Sequence, residues 1–281
     1  MRVRAWDYLP GQWGRAARAM EKSLCEIRLR RGRPVALREI AGGETLLSPM
    51  EDESFSEMIS AMLDHSLYAR ESELDKGYFT LPDGSRAGVC GDFSRGIRAP
   101  EDILSLCIRI ARAVSGCAAA LIPTMMETSG TLIVSPPGLG KTTLLRDAAR
   151  LLSRAGQNVC LVDERGELAA CAGGRPQLDV GPRTDVISGT EKALAMGLAV
   201  RSCAPDVLVT DELGAPRDAA AAGEILRCGV RLVASCHGNT LNPDGLRRCV
   251  GALLRPGLLE LGVLLGPNRG QIAEIRRYQS T

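Results

Sequence analysis

Aromatic side chains are scarce: two tryptophans, four tyrosines and three phenylalanines make up 3% of the 281 residues. Histidine is scarcer, with only His65 and His237. Ten cysteines are present, but no two stand in a C-x-x-C spacing. Without clustered Cys and His ligands a structural zinc site is not expected. The cysteines read instead as reduced cytosolic thiols filling apolar positions, as Cys160 does in "VCLVD". Long uncharged apolar runs are missing too. The best candidate, "CVGALLRPGLLELGVLLG", carries Arg255, Pro256 and Glu260, so no membrane-spanning helix is expected. The opening "MRVRAWDYLPGQWGR" lacks the apolar core of a secretory signal. Charge of one sign is not in excess: the net charge of +2 gives no reason to expect nucleic acid or a membrane surface as a partner. Heptads, low-complexity tracts and internal repeats are also absent.

What is present is ordinary for a soluble globular chain with a sizeable core: 45% apolar and 24% charged residues. The length fits one large domain or two ordinary ones. The few aromatics decide between them. Trp6, Tyr8, Trp13, Phe55, Tyr68, Tyr78, Phe79 and Phe93 precede residue 100, and only Tyr278 follows. This shift divides the chain into an N-terminal α+β domain, 1–113, and a second domain, 114–281. In the first, "LCEIRLRRGRPVALRE" alternates Cys25, Ile27 and Leu29 with Glu26, Arg28 and Arg30 and turns at Gly32, which predicts a hairpin. "SPMEDESFSEMISAMLDHSLY" predicts a helix with an acidic first turn after Ser48. "GYFTLPDGSRAGVCG" predicts a second hairpin turning at Pro82-Asp83-Gly84, and "SRGIRAPED" a surface connection.

After residue 114 strands and helices alternate. "TLIVS", "VCLVD", "DVLVTD" and "VRLVAS" read as short buried strands. "KTTLLRDAARLLSR" places Leu144, Leu145, Ala148, Leu151 and Leu152 on one helical face. "GTEKALAMGLAVRSC" and "RDAAAAGEILRC" are further helices, the second ended by Gly229. The fold class is therefore α/β, with a mostly parallel sheet covered on both faces. Such sheets bind ligands beyond the carboxyl ends of their strands, and the chemistry-bearing residues fall there.

"VSPPGLGKTT" lies between a strand and an amphipathic helix, the setting a phosphate loop requires. It departs from G-x-x-x-x-G-K-[ST] at Ser135, a small residue at the strand exit. The cradle would be Ser135, Pro136, Pro137, Gly138, Leu139, Gly140, Lys141, Thr142 and Thr143. Its glycines let backbone N–H groups face phosphate oxygens, and the helix start adds its positive dipole end. Lys141 would pair with the β- and γ-phosphates, and the Thr142 hydroxyl would hold Mg²⁺. After the next strand, "LVDERGEL" brings Asp163, Glu164 and Glu167 to a strand end; a solvated acidic turn is the alternative. "VLVTDELG" ends an apolar run in Asp211 and Glu212. Asp211 can hold a magnesium-bound water and Glu212 can orient or deprotonate attacking water; a helix-capping acidic pair is the alternative. In "SCHGNT", His237 leaves a buried strand where its ring can reach a γ-phosphate, or serve only structure. No N-K-x-D motif is present, which favours ATP over GTP, and no aromatic stands near the loop to stack on adenine.

The order of phosphate loop, acidic box, Asp-Glu strand and His-Gly-Asn box resembles the ATPases of type II and type IV secretion and type IV pili, most closely their sporulation branch. The segments that carry the resemblance are "SPPGLGKTTLLRDAARLLS", "VDERGELAAC", "DVGPRTDVISGTEKA", "VRSCAPDVLVTDELG" and "ASCHGNT", with "SLYARESELDKGYFTLPDGSRAGVCG" and "LCIRIAR" upstream. It spans roughly residues 20–281. It implies a RecA-like core behind an N-terminal domain, a hexameric ring, and ATP hydrolysis with Mg²⁺. It also implies a cytoplasmic site in the mother cell and an integral-membrane partner in a channel complex leading to the forespore. Glu164 and Glu167 map to the acidic box, Glu212 to the catalytic glutamate and His237 to the histidine box. Two departures stand out: Ser135 replaces a glycine, and Asp211 stands where the secretion ATPases usually have glycine. An arginine supplied by a neighbouring subunit would complete the site, with Arg109, Arg112, Arg183 and Arg201 as candidates. A RecA-like nucleic-acid motor is the main alternative. The core has neither an aromatic platform nor a basic excess to support it. A nucleotide-ordered scaffold without turnover is the other.

Overall fold

The computed structural model describes residues 3–111, 114–171, 174–268 and 270–279. Backbone contacts divide the chain into two compact units, Met1–Arg112 with Ala170–Gln177, and Ala113–Ala169 with Leu178–Thr281. The inclusion of Ala170–Gln177 in the first unit has no counterpart in the composition shift.

The first unit contains α1 (Gly11–Ala19), β1 (Leu24–Arg30), β2 (Pro34–Glu39), β3 (Glu44–Pro49), α2 (Asp52–Met62), α3 (Glu71–Leu74), β4 (Tyr78–Thr80), β5 (Arg86–Gly91) and β6 (Ile103–Arg109). Its strands form an antiparallel sheet in the order β3-β2-β1-β6-β5-β4. Both expected hairpins are present, as β1-β2 and β4-β5. In β1 a register shift between Leu24 and Glu26 changes the inward set. Leu24, Ile27 and Leu29 are buried and Cys25 is only half-buried, as expected when a bulge adds one residue to a strand. α2 starts at Asp52 rather than just after Ser48, because Ser48 and Pro49 end β3. Phe55 and Phe79 sit fully buried in this unit's core.

The second unit contains α4 (Ile122–Glu127), β7 (Gly130–Ser135), α5 (Lys141–Arg154), β8 (Val159–Asp163), β9 (Thr184–Ser188), α6 (Lys192–Cys203), β10 (Val207–Thr210), α7 (Pro216–Arg227), β11 (Arg231–His237), α8 (Arg248–Gly251), β12 (Leu261–Leu265) and β13 (Ile272–Arg277). The sheet order is β13-β12-β7-β11-β10-β8-β9. All pairings are parallel except β12-β13. Every residue of β7, β8 and β10 is buried, which is why these strands read as unbroken apolar runs. β11 lies between the strand that feeds the Ser135 loop and the strand that ends at Asp211, with His237 in register with Ser135. α5 buries Leu144, Leu145, Ala148 and Leu152, but Leu151 is half-buried while Arg146, Asp147 and Arg150 are buried. The helix is covered on more than one side, so a single apolar stripe understates its burial.

Among the described residues no helix is long and apolar enough to cross a membrane. β12 occupies the end of the leucine-rich run that came nearest to one. All ten cysteines are free thiols. Burial pushes the Cys160 and Cys236 thiols up to about 12, which leaves them inert.

Candidate active site

β7, β8, β10 and β11 all end on one edge of the second unit's sheet, and the predicted residues follow them. Gly138 (φ 81°) and Gly140 (φ 99°) are left-handed. At Gly138 an added Cβ would meet nothing within 4 Å, so glycine is required there by backbone conformation and not by space. Gly140 precedes α5 as its cap residue and offers no side chain to the helix's first N–H groups. Uncapped N–H groups at the positive end of a fourteen-residue helix make an anion-binding end.

Lys141 is buried, and its ammonium donates to Ser135 O (2.8 Å), Pro136 O (3.0 Å), Ser135 Oγ (3.2 Å) and His237 Nδ1 (3.1 Å). Burial pulls the Lys141 pKa below the ordinary lysine range, and the Glu212 carboxylate opposes that shift. Lysine can only donate, so His237 Nδ1 accepts and Nε2 carries the ring proton. Nε2 faces Glu212 Oε1 at 3.2 Å. A polar chain thus runs from Lys141 through His237 to Glu212. Ser135 is fully buried. Its hydroxyl donates to Pro136 O at 2.8 Å while accepting from Lys141, contacts that a glycine cannot make.

Glu212 is held at its backbone. Its N–H donates to Ser235 Oγ (3.1 Å) and its carbonyl accepts from Lys192 Nζ (2.7 Å). It does not cap α7: Asp218 Oδ2 takes the N–H groups of Gly214 (3.2 Å) and Ala215 (2.8 Å) instead. Asp211 is buried, and its Oδ1 lies 2.8 Å from Lys192 Nζ without a hydrogen-bond partner of good alignment. Asp163 is fully buried and turned inward. It accepts from the N–H groups of Glu167 (2.9 Å), Leu168 (3.1 Å) and Ala169 (2.8 Å), so it shapes the loop that carries Glu164 and Glu167. Burial raises the Asp163 pKa despite these bonds.

Pro137, Gly138, Gly140, Lys141, Thr142, Thr143, Arg165, Glu167, Asp211, Glu212, Ser235 and His237 line one cavity of about 230 Å³. Glu164 does not line it; Glu164 Oε2 stands 3.8 Å from Lys192 Nζ. Two cations here escaped the sequence reading. Arg165, exposed at the cavity, has Nη1 3.6 Å from Glu212 Oε2. Lys192, in the first turn of α6, is buried among residues from two other strand ends. Arg165 stands between the quoted acids and was within reach of the motif. Lys192 has no local signal, because its partners are distant in sequence.

The candidate arginines lie elsewhere. Arg183 precedes β9 at the opposite, amino edge of the sheet. Its guanidinium donates to Asn158 Oδ1 (2.9 Å) and its N–H to Ser153 Oγ (2.7 Å). Arg201 is exposed in the last turn of α6, away from the cavity end of that helix. Arg109 ends β6 in the first unit. Arg112 lies outside the described residues.

A protein-family profile described as "Sporulation stage III, protein AA" matches residues 15–279. The chain is 39% identical over 264 residues to stage III sporulation protein AA of Bacillus subtilis (strain 168), covering 89% of this chain and 85% of that one. Its fold is similar to that of the pilus retraction motor PilT, solved with bound ADP, with a TM-score of 0.65 at 15% identity over 99% of this chain and 84% of that one. It is also similar to the Legionella pneumophila ATPase DotB, with a TM-score of 0.55 at 12% identity over 89% and 74%. The chain therefore shares the α/β fold of these two structures.

Proposed function

The chain belongs to the sporulation stage III protein AA family, and on that premise we propose that it is an ATP-hydrolysing motor of the secretion-ATPase type, working on a membrane channel complex between mother cell and forespore. The observation that carries this reading is the convergence of Lys141, His237 and Glu212 in one cavity at the sheet's carboxyl edge.

ATP is the substrate. The left-handed glycines and the uncapped start of α5 support phosphate binding by backbone N–H groups. Lys141 exchanges its carbonyl partners for the β- and γ-phosphate oxygens. Glu212 orients and deprotonates the attacking water, with its backbone pinned by Ser235 and Lys192. His237 lies between Lys141 and Glu212, so a γ-phosphate that draws Lys141 away also changes what Glu212 contacts. Glu167, on the cavity wall, helps place the water, and Glu164 supports it from behind Lys192. Arg165 adds positive charge at the same cavity.

The residues also fit a magnesium ion. Thr142 and Asp211 offer the hard oxygen donors it takes, and Asp211 is a buried carboxylate whose Oδ1 has an ion pair with Lys192 but no well-aligned hydrogen bond. Thr142 would hold the ion directly and Asp211 through water. When bound, it would neutralise charge developing on the phosphates. One of Arg109, Arg112, Arg183 or Arg201 would reach the γ-phosphate from a neighbouring subunit of a ring.

A pulldown of the intact protein from membranes of sporulating cells tests the placement. An integral-membrane protein should copurify more strongly with ATP than without. Recovery of no membrane protein in either condition would count against the motor's proposed station.

A further inference from the structure

Lys192 is 4% exposed at the amino end of α6, where the helix dipole is positive and a cation is disfavoured. Burying an ammonium is costly unless charged partners surround it. Its partners come from two strand ends. Nζ donates to Glu212 O at 2.7 Å, touches Asp211 Oδ1 at 2.8 Å and faces Glu164 Oε2 at 3.8 Å. Glu191, next to it, is turned to Arg217 at 3.1 Å and takes no part. Glu164, Asp211 and the Glu212 carbonyl are hard oxygen donors, the kind that gathers around a divalent cation.

We propose that Lys192 is a built-in cation and a positioning residue: it holds the β8 and β10 ends together, fixes the backbone that aims Glu212 at His237, and keeps divalent metal from binding Asp211 directly. The metal is then left to Thr142 and the phosphates, and Asp211 reaches it only through water. This inference rests on the reading of Glu212 as general base for its kinetic consequence, but not for its metal-binding one.

The test uses full-length Lys192→Met and the charge-balanced Lys192→Met/Asp211→Asn. Lys192→Met removes the charge and keeps the length. Mn²⁺ binding without nucleotide is read by electron paramagnetic resonance, alongside ATP affinity and kcat. Lys192→Met should bind Mn²⁺ about tenfold or more tighter than the unmodified chain, because the oxygen donors lose their competitor. The double variant should lose that gain. Lys192→Met should keep ATP affinity within about threefold and lose about 10²-fold in kcat, the scale of a misplaced catalytic group. If Lys192→Met does not fold, Lys192→Gln carries both tests. A folded single variant with kcat within about threefold of the unmodified chain, or without any gain in Mn²⁺ binding, would overturn the proposal. If the unmodified chain shows no turnover, the proposed activity fails, while the Mn²⁺ comparison still judges Lys192.

Discussion

Ser135 stands where the phosphate-loop pattern has glycine, and its hydroxyl takes part in holding Lys141. The ammonium also has Ser135 O, Pro136 O and His237 as partners, so loss of the hydroxyl removes one contact of four. Ser135→Gly should therefore change ATP affinity by less than about tenfold, or ~1.4 kcal/mol. Lys141→Ala removes the charge itself and should abolish detectable binding in equilibrium titration. A Ser135→Gly variant that binds ATP well while the unmodified chain does not would mean that the serine closes the loop. At this scale the phosphate loop, Glu212 and His237 were legible because each follows a buried strand. Asp163 was legible only as one acid among three. Its three backbone N–H partners place it in the fold of the loop, and no local pattern distinguishes such a carboxylate from one that faces the cavity. Lys192 was not legible at all, since Asp211 and Glu164 reach it only through the order of strands.

α5 illustrates how far an element can be read from its periodicity. Its leucines marked the helix, but Asp147 was invisible as a tether. Asp147 Oδ1 accepts from Gly116 N–H (3.1 Å) and Oδ2 from Ala118 N–H (2.8 Å), and Arg150 Nη2 donates to Oδ1 at 2.7 Å. Burial pushes the Asp147 pKa up, but these N–H donors and the guanidinium outweigh it and leave the pKa below the ordinary value. A lowered folded pKa contributes stability that is present above the unfolded value and lost as pH falls through the folded one. Asp163 works in the opposite sense because burial raises its pKa, so the Asp147 contribution is read as a difference between variants. Asp147→Asn should cost about 3 kcal/mol near neutral pH, by leaving Arg150 buried without its partner. Its deficit should shrink as the pH falls below about 4, where Asp147 of the unmodified chain also gains a proton. Thermal melts of both across pH check this; a deficit independent of pH would contradict it. Among the second unit's strands, β9, β12 and β13 escaped. β9 and β13 lie at the sheet's edges, half-exposed, without an apolar run. β12 sits in a leucine-rich stretch whose period does not separate strand from helix.

For the whole molecule, the aromatic shift pointed to two parts, while the placing of Ala170–Gln177 in the first unit was not readable. Composition carries no trace of so short a segment. The own-chain cavity has Arg165 at its wall, and Arg183 and Arg201 stand at the far edge of the sheet. If a neighbouring copy completes the site, activity per subunit should rise with protein concentration. Mixing Lys141→Ala with an inactive variant of Arg109, Arg183 or Arg201 should then restore part of the turnover, since one mixed interface joins an intact loop to an intact arginine. Concentration-independent turnover with no rescue on mixing would place the whole site in one chain. The proposed activity depends on Glu212 acting as base in a site that binds ATP without it. Its most direct measurement sets ATP affinity beside single-turnover phosphate release for the unmodified chain and Glu212→Gln. The amide keeps the shape but cannot take a proton, so affinity should stay within about threefold while the rate falls by ~10²–10⁴. Near-normal phosphate release by Glu212→Gln would contradict the account.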